Sequence, residues 1–497
     1  MSEEPTLKKQ KRQTPLILSA STRATAINWK DPEDTSREFS SSIEPWIKLA
    51  KLAESGKFHS IFFIDHLSWF DVYGSSHESS ARTGINVSRI DPTAALSALS
   101  LVTDNIGFGV TVSSVSEHPY HFARRLSSLD ILTNGRVGWN IVASYLPSVG
   151  PSLLNGEPLP EHDERYNKTQ EFTDAVYSLL LSSWRDDALV YDKINKIYAN
   201  PDAIRPIDHK GQYYNIQAPH ITEPTRQRFP LIIQAGSSPR GKLFAAENAE
   251  LIYIHNTAKT HDDIADIRHA AQKYFGRDPS SLKFIISVTV YVDKTHEDAL
   301  KQEQLVKDLQ DEESAFVYFG GKSNIDVKPF EYDEPITFKG KVNGVSETAD
   351  NLTNSDKSKP NNSKRQLYET QLRKKSKYVG TASEVADLLE EAIKETGADG
   401  LNFQQTSFPS GLEQIVELLI PELQKRGLAQ TEYTSQKGTF RENFFGNKGQ
   451  TFVSKDHPVH DLRWESGVSK EEFEERLSKT IEIRNERRKT ALETLEK

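Results

Sequence analysis

The stretch "NGRVGWNIVAS", residues 134–144, decides the fold. It opens as a turn on Asn134-Gly135, becomes a short apolar run, and stops at Ala143-Ser144. A brief apolar run without alternation is how a strand buried on both faces of a parallel sheet reads. Such a strand does not hold an amide in its middle without a partner. Asn140 therefore faces something polar, and what that is becomes a question about function.

Seven further runs have the same character: LILSA (16–20), SIFFID (60–65), IGFGVTV (106–112), PLIIQAG (230–236), ELIYIH (250–255), FIISVTVYV (284–292) and GLNFQ (400–404). Each is bounded by Gly, Asp, Asn or Ser. Between them, stretches such as IEPWIKLAKLAES, YHFARRLSSLDILT and SEVADLLEEAIKET repeat apolar residues at three- and four-residue steps, the period of helices with one buried face. Eight strands alternating with helices predict an α/β protein, a (β/α)8 TIM barrel, rather than an open doubly wound sheet.

The barrel is expected over residues 15–430, after a flexible charged tail at 1–14 that has no apolar core for a signal peptide. Two segments interrupt the rhythm. Residues 191–228 are rich in Pro, Tyr and His and predict loop or hairpin structure. Residues 323–376 include SETADNLTNSDKSKPNNSK (346–364), polar and low in complexity, which reads as disordered or as a mobile lid. Beyond residue 427 the chain turns charged, and a solvated helical extension is expected over 431–497. No apolar stretch reaches the ~18 residues that a membrane span needs, so a cytoplasmic location and no membrane partner are expected.

Composition narrows the chemistry. The 497 residues carry a formal net charge of -9, which argues against nucleic acid as the main partner. There is no cysteine, so disulfides, thiolate metal sites and cysteine nucleophiles are excluded. The single methionine is the first residue. Few oxidisable sulfurs suit an enzyme that handles peroxide-like species, although compositional drift explains the count equally well.

In a barrel of this kind the active site lies at the C-terminal ends of the strands. There stand Asp65 and His66, Thr111, Ser113 and Ser114, Asn140 and Ser144, Ser237 and Ser238, His255 and Asn256, then Asn402 and Gln404. Polar groups with little charge suit a neutral hydrogen-bonding heterocycle better than a metal. QAGSSPRG (234–241) has a serine at a helix N-cap and a proline at the first helical position, an arrangement that aims free N–H groups at a phosphate. The same spacing also serves an ordinary helix start. In EHDERYN (161–167), His162 and Tyr166 share one helix face, with a solvated helix start as the plain alternative. His118 and His121 in HPYH are joined by no HExxH and no carboxylate triad, so no metal is expected. A G-x-S-x-G elbow and a G-x-G-x-x-G dinucleotide fingerprint are both missing.

The segment EHPYHFARRLSSLDILTNGRVGWNIVASY (117–145) resembles the signature of the bacterial-luciferase-like flavin monooxygenases. Within them it is similar to the branch that holds nitrilotriacetate, EDTA, dibenzothiophene-sulfone and long-chain-alkane monooxygenases. FFIDHLSWFDVYG, IDPTAALSALSLVTDNIGFGVTVSS, EHDERYN, PLIIQAGSSPRGKLFAAENAE, YVGTASEVADLLEEA and IPELQKRGLAQTEY agree in order, so the resemblance spans about residues 16–440. It implies a barrel that binds reduced FMN, forms a peroxyflavin with O2, and inserts one oxygen atom into a small organic substrate. It also implies a separate NAD(P)H:flavin reductase as partner and a homo-oligomer, dimer or tetramer. By motif match Asp65, Thr111, His162, Tyr166 and Ser237 fall on FMN-contact positions, and Ser113, Asn140 and Ser238 are neighbours. On this reading Asn140 faces the flavin ring and the serines hold its phosphate. His66 departs from the branch, where an apolar residue is expected, and is the candidate catalytic residue. A silent flavin-binding barrel and a deazaflavin-dependent oxidoreductase are the alternatives.

Overall fold

The computed structural model describes residues 14–24, 27–337, 363–373 and 378–495. The expected tail, apart from residue 14, and the expected lid, apart from its last two residues, lie outside them.

Eight parallel strands close on themselves: β1 (Ile17–Ala24), β2 (Ser60–Phe63), β3 (Gly107–Ser113), β4 (Val137–Val142), β5 (Leu231–Gln234), β6 (Leu251–Ile254), β7 (Lys283–Val292) and β8 (Gly400–Gln405). Each pairs with the next, and β8 returns to β1 with Ile17 opposite Gly400. These are the eight apolar runs of the sequence, and the closed ring is the (β/α)8 barrel. Closure depends on Gly400, because a Cβ there would sit 2.1 Å from the carbonyl oxygen of Ile17. The short strand Tyr378–Gly380 extends the sheet beside the C-terminal end of β7.

Helices cover the outside of the ring. They include α1 (Glu44–Ser55), α2 (Thr93–Leu101), α3 (Pro119–Leu132), α4 (His162–Tyr177), α5 (Pro239–Asn248), α6 (Thr260–Phe275), α7 (His296–Asp308), α8 (Glu312–Ser323) and α9 (Ala382–Thr396). On α9, Val385, Ala386, Leu389 and Ala392 face the sheet, and a Thr381–Glu384 capping box opens the helix. A small hairpin, Leu189–Asp192 with Ile197–Ala199, leads into the 191–228 segment, which also holds a two-residue ladder, His209–Lys210 with Asn215–Ile216.

The chain after residue 427 does more than the sequence suggests. The short helix Phe440–Phe445 stoppers the N-terminal mouth of the barrel: Phe440 and Phe444 pack against Ile17, Leu231, Leu251 and Ile285. A Cβ at Gly107 would meet the Phe440 ring at 2.3 Å. Arg441, wholly buried, is held by Glu250 through two bonds of 2.7 and 2.8 Å. The last helix, α10 (Lys470–Leu495), is solvated on one side only. Phe473, Leu477, Arg484 and Ala491 are buried, and Arg484 and Arg488 reach Asp174 on α4 and Glu247 on α5. Its apolar residues are too sparse to read as a stripe, because arginines fill the remaining places on that face. Among the described residues no helix is long and apolar enough to cross a membrane.

Candidate active site

A cavity of about 850 Å3 opens at the C-terminal ends of the strands. That is near the upper end of the ~300–1,000 Å3 usual for ligand sites, and leaves room for more than one small molecule. Its floor is an aromatic pair. Phe62 on β2 and Tyr253 on β6 stack with centroids 4.0 Å apart, and Tyr253 Oη bonds Ser19 Oγ at 2.8 Å.

Above the floor the strands present amides and hydroxyls inward. Thr111 on β3 stands opposite Asn140 on β4 in register, and Asn140 Nδ2 donates to Thr111 Oγ1 at 3.0 Å. Asn140 Oδ1 is buried and accepts nothing from the described residues, and Asn402 Oδ1 on β8 is in the same position. An unsatisfied buried acceptor costs ~1–3 kcal/mol, so both oxygens are prepared for a donor from a ligand. Just past β4, Ser144 takes φ 54°, in the left-handed region. This conformation brings its Oγ to 2.8 Å from Ser113 Oγ.

One side of the cavity is built from the start of α5. Ser238 is its N-cap, with Oγ accepting from the amide of Gly241 at 3.0 Å, and Pro239 is the first helical residue. With the Ser237 hydroxyl beside it, this helix start has the form that suits an anion. His162 and Tyr166 approach from the first turns of α4. His162 Nε2 lies 3.1 Å from Ser238 Oγ, and its Nδ1 lies 2.7 Å from Asp163 Oδ1. Burial raises the Tyr166 phenol above its ordinary pKa, so it remains a donor. A Cβ on Gly241 would come within 2.7 Å of Tyr166 Oη, so glycine keeps this corner open.

The opposite side holds Asp65, His66 and the loops beyond them. Asp65 accepts from the amide of His66 at 2.9 Å. Arg89 donates to Asn86 Oδ1 and to the carbonyl of Ile64, at 2.7 and 3.1 Å. Burial lowers the Arg89 pKa, and the Asp65 charge opposes that shift. His66 Nε2 and Tyr145 Oη are 3.2 Å apart. Burial pushes the Tyr145 phenol far above its ordinary range, so it stays protonated.

The cavity thus gathers Asp65, His66, Thr111, Ser113, Asn140, His162, Tyr166, Ser237 and Ser238, and with them Ser144, His255, Asn402 and Gln404. Asn256 is not among its lining residues and donates instead to Tyr378 Oη at 2.8 Å. Ser114 turns away: its Oγ bonds Thr169 Oγ1 at 2.7 Å behind the wall. Arg240 donates to Asn167 on α4, at 2.6 Å. Sequence reasoning missed Arg89, Tyr145, Gln234 and Lys322. Gln234 carried a usable signal, an amide at the end of an apolar run, as at Asn140. The others lie on loops and on α8, where no periodicity points to the cavity.

The luciferase-like monooxygenase family matches residues 25–400. The chain is 36% identical to long-chain alkane monooxygenase of Geobacillus thermodenitrificans, over 86% of this chain and 92% of that protein. It is 34% identical to dimethyl-sulfide monooxygenase of Hyphomicrobium sulfonivorans, over 91% and 93%. Nitrilotriacetate monooxygenase component A of Aminobacter aminovorans is 29% identical, over 83% and 92%. A crystal structure of a long-chain alkane monooxygenase superposes with a TM-score of 0.81 at 32% identity, covering 91% of this chain and all of that one.

Proposed function

The chain belongs to the luciferase-like monooxygenases and is a flavin-dependent monooxygenase, and from that premise we propose that it is the oxygenating half of a two-component system using reduced FMN. The observation that carries the reading is one cavity with two kinds of wall. A helix start capped by Ser238, of the form that suits an anion, lies on one side, and unsatisfied amide oxygens of strands lie in the middle. Such a pair fits a phosphate joined to a hydrogen-bonding heterocycle.

Ser237, Ser238 and the first amides of α5 would hold the phosphate, with His162 and Tyr166 closing over it. Thr111, Ser113 and Asn140 would face the ring system, and Asp65 would stand at its edge. When bound, reduced FMN supplies the two electrons with which O2 is split between a small organic substrate and water. The chain's own contribution is orientation, exclusion of water and proton handling. His66 Nε2 and Tyr145 Oη form a pair through which a proton can pass along the cavity wall. Tyr145, kept protonated by burial, can only donate or relay. His66 is therefore assigned the proton-handling role.

A relative named as component A of a monooxygenase supports the reading of a separate partner, which on this proposal is a flavin reductase. The test is an anaerobic titration with photoreduced FMN, read by quenching of tryptophan fluorescence, which Trp139 on β4 should report. Reduced FMN should bind, and NADH should be consumed only when a flavin reductase is added. Substrate-dependent NADH oxidation by the purified chain alone would refute the two-component reading. Tighter binding of a reduced deazaflavin would favour the related oxidoreductase chemistry instead.

A further inference from the structure

We propose that Ser287 and Asn402, on the β7–β8 wall, form a second polar corner that receives the organic substrate through a neutral group carrying both a donor and an acceptor, an alcohol or a secondary amide. This rests on the cavity being the oxygenation site and names the substrate class it takes.

The corner repeats the one at Asn140. There, Thr111 on β3 and Asn140 on β4 are in register, Asn140 Nδ2 donates to the hydroxyl oxygen, and Asn140 Oδ1 is buried without a donor among the described residues. Here, Ser287 on β7 and Asn402 on β8 are in register, Asn402 Nδ2 donates to Ser287 Oγ at 3.4 Å, and Asn402 Oδ1 is likewise buried without a donor among them. Asn402 is only 1% exposed, and both residues line the cavity. Gln404 follows two positions later on the same face of β8, and its Nε2 donates to the same Ser287 Oγ at 3.4 Å. Two N–H groups take up the two acceptor positions of that hydroxyl, so its own proton is left for a ligand. The corner therefore offers one acceptor and one donor side by side, on uncharged side chains.

In a closed ring of eight, β4 and β8 are four strands apart in either direction, so the two corners stand on opposite walls. One flavin does not satisfy both. Its pyrimidine edge carries N–H and C=O groups, whereas the far end of the ring system carries only methyl groups. With the pyrimidine edge at Asn140, the Asn402 oxygen is left for a second molecule, and a cavity of about 850 Å3 has room for one. The corner also adjoins the aromatic floor. Ser19, which bonds Tyr253 Oη, is the register partner of Asn402 on β1. An apolar body beside those rings brings its O–H or N–H to Asn402 Oδ1 and accepts from Ser287. A ligand with acceptors alone leaves the buried amide oxygen unpaired. A charged end gives up water for groups that carry no opposite charge.

Caprolactam with N-methylcaprolactam, and octanol with methyl octyl ether, are two pairs in which a methyl group replaces the donor proton. They are titrated calorimetrically into the full chain, with and without saturating reduced FMN, under anaerobic conditions. Each donor should bind roughly threefold to tenfold tighter than its methylated partner, the value of one neutral hydrogen bond. Asn402→Leu should abolish the difference within each pair. Ser287→Ala should weaken both members of a pair alike, and the Kd for FMN should hold in both variants. Pairs that bind alike in the unaltered chain overturn the proposal. So does a donor preference that survives Asn402→Leu. An Asn402→Leu chain that loses FMN affinity as Asn140→Leu does would assign the corner to the flavin, and the proposal would fall while the flavin reading stands. Because the pairs are also read without FMN, a failure of flavin binding and a failure of the corner are distinguished.

Discussion

Replacing Asn140 with leucine should weaken flavin binding while leaving the flavin-free protein about as stable as before. Asn140 is buried, with one amide bond to Thr111 and a carbonyl oxygen that takes no donor. Losing the Nδ2 bond costs ~0.5–1.5 kcal/mol, and removing an orphaned buried acceptor returns ~1–3 kcal/mol. Leucine has nearly the shape of asparagine, so little cavity or overpacking is added. The terms offset to within about 1–2 kcal/mol, in the stabilising direction if they differ. In the complex the balance reverses, because leucine offers the heterocycle neither donor nor acceptor. A loss of ~1–3 kcal/mol corresponds to roughly a tenfold to hundredfold rise in Kd. The assay pairs FMN titration with thermal melts in the presence and absence of FMN. The increment in Tm given by saturating FMN should shrink while the flavin-free Tm holds. A variant that melts much earlier yet binds FMN with unchanged Kd would show that Asn140 serves packing, and the reasoning about its free oxygen would be wrong.

Ser237→Ala should raise the Kd for FMN by roughly tenfold to a hundredfold, the value of one hydrogen bond to a charged group. Calorimetry that finds the affinity unchanged would place the phosphate elsewhere. Glu250→Gln should cost ~3–5 kcal/mol of stability, since it leaves the buried Arg441 guanidinium without its counter-charge. An unmoved denaturation midpoint in urea would contradict this. Burial lowers His59 from 6.5 to about 4, and His220 likewise. The unfolded chain therefore takes up protons first as pH falls. The contribution of these groups is complete above pH 6.5 and is lost progressively toward pH 4, up to ~3 kcal/mol for His59. Urea unfolding at pH 7 and pH 5 should show the loss, and His59→Gln should reduce it.

The barrel was legible in the sequence because its signals are local. A strand such as Val137–Val142 betrays itself by an apolar run bounded by turns, and the Ser238-Pro239 start of α5 by the spacing of a cap. Asn140 could be singled out for the same reason, an amide where the strand pattern allows none. Those features need only neighbouring residues. What tertiary structure alone decided are the meetings of residues far apart in the chain. Tyr145 joins His66 across 79 positions, and Phe440 stops a barrel mouth formed by strands that begin with β1. Lys322 enters an aromatic sleeve drawn from three separate segments. A lysine in a last helical turn, or an arginine on a sparse helix such as α10, looks solvated in any local window. Its partner is fixed only when the closed ring sets the distances between loops, and burial rather than pattern then decides what each charge must face.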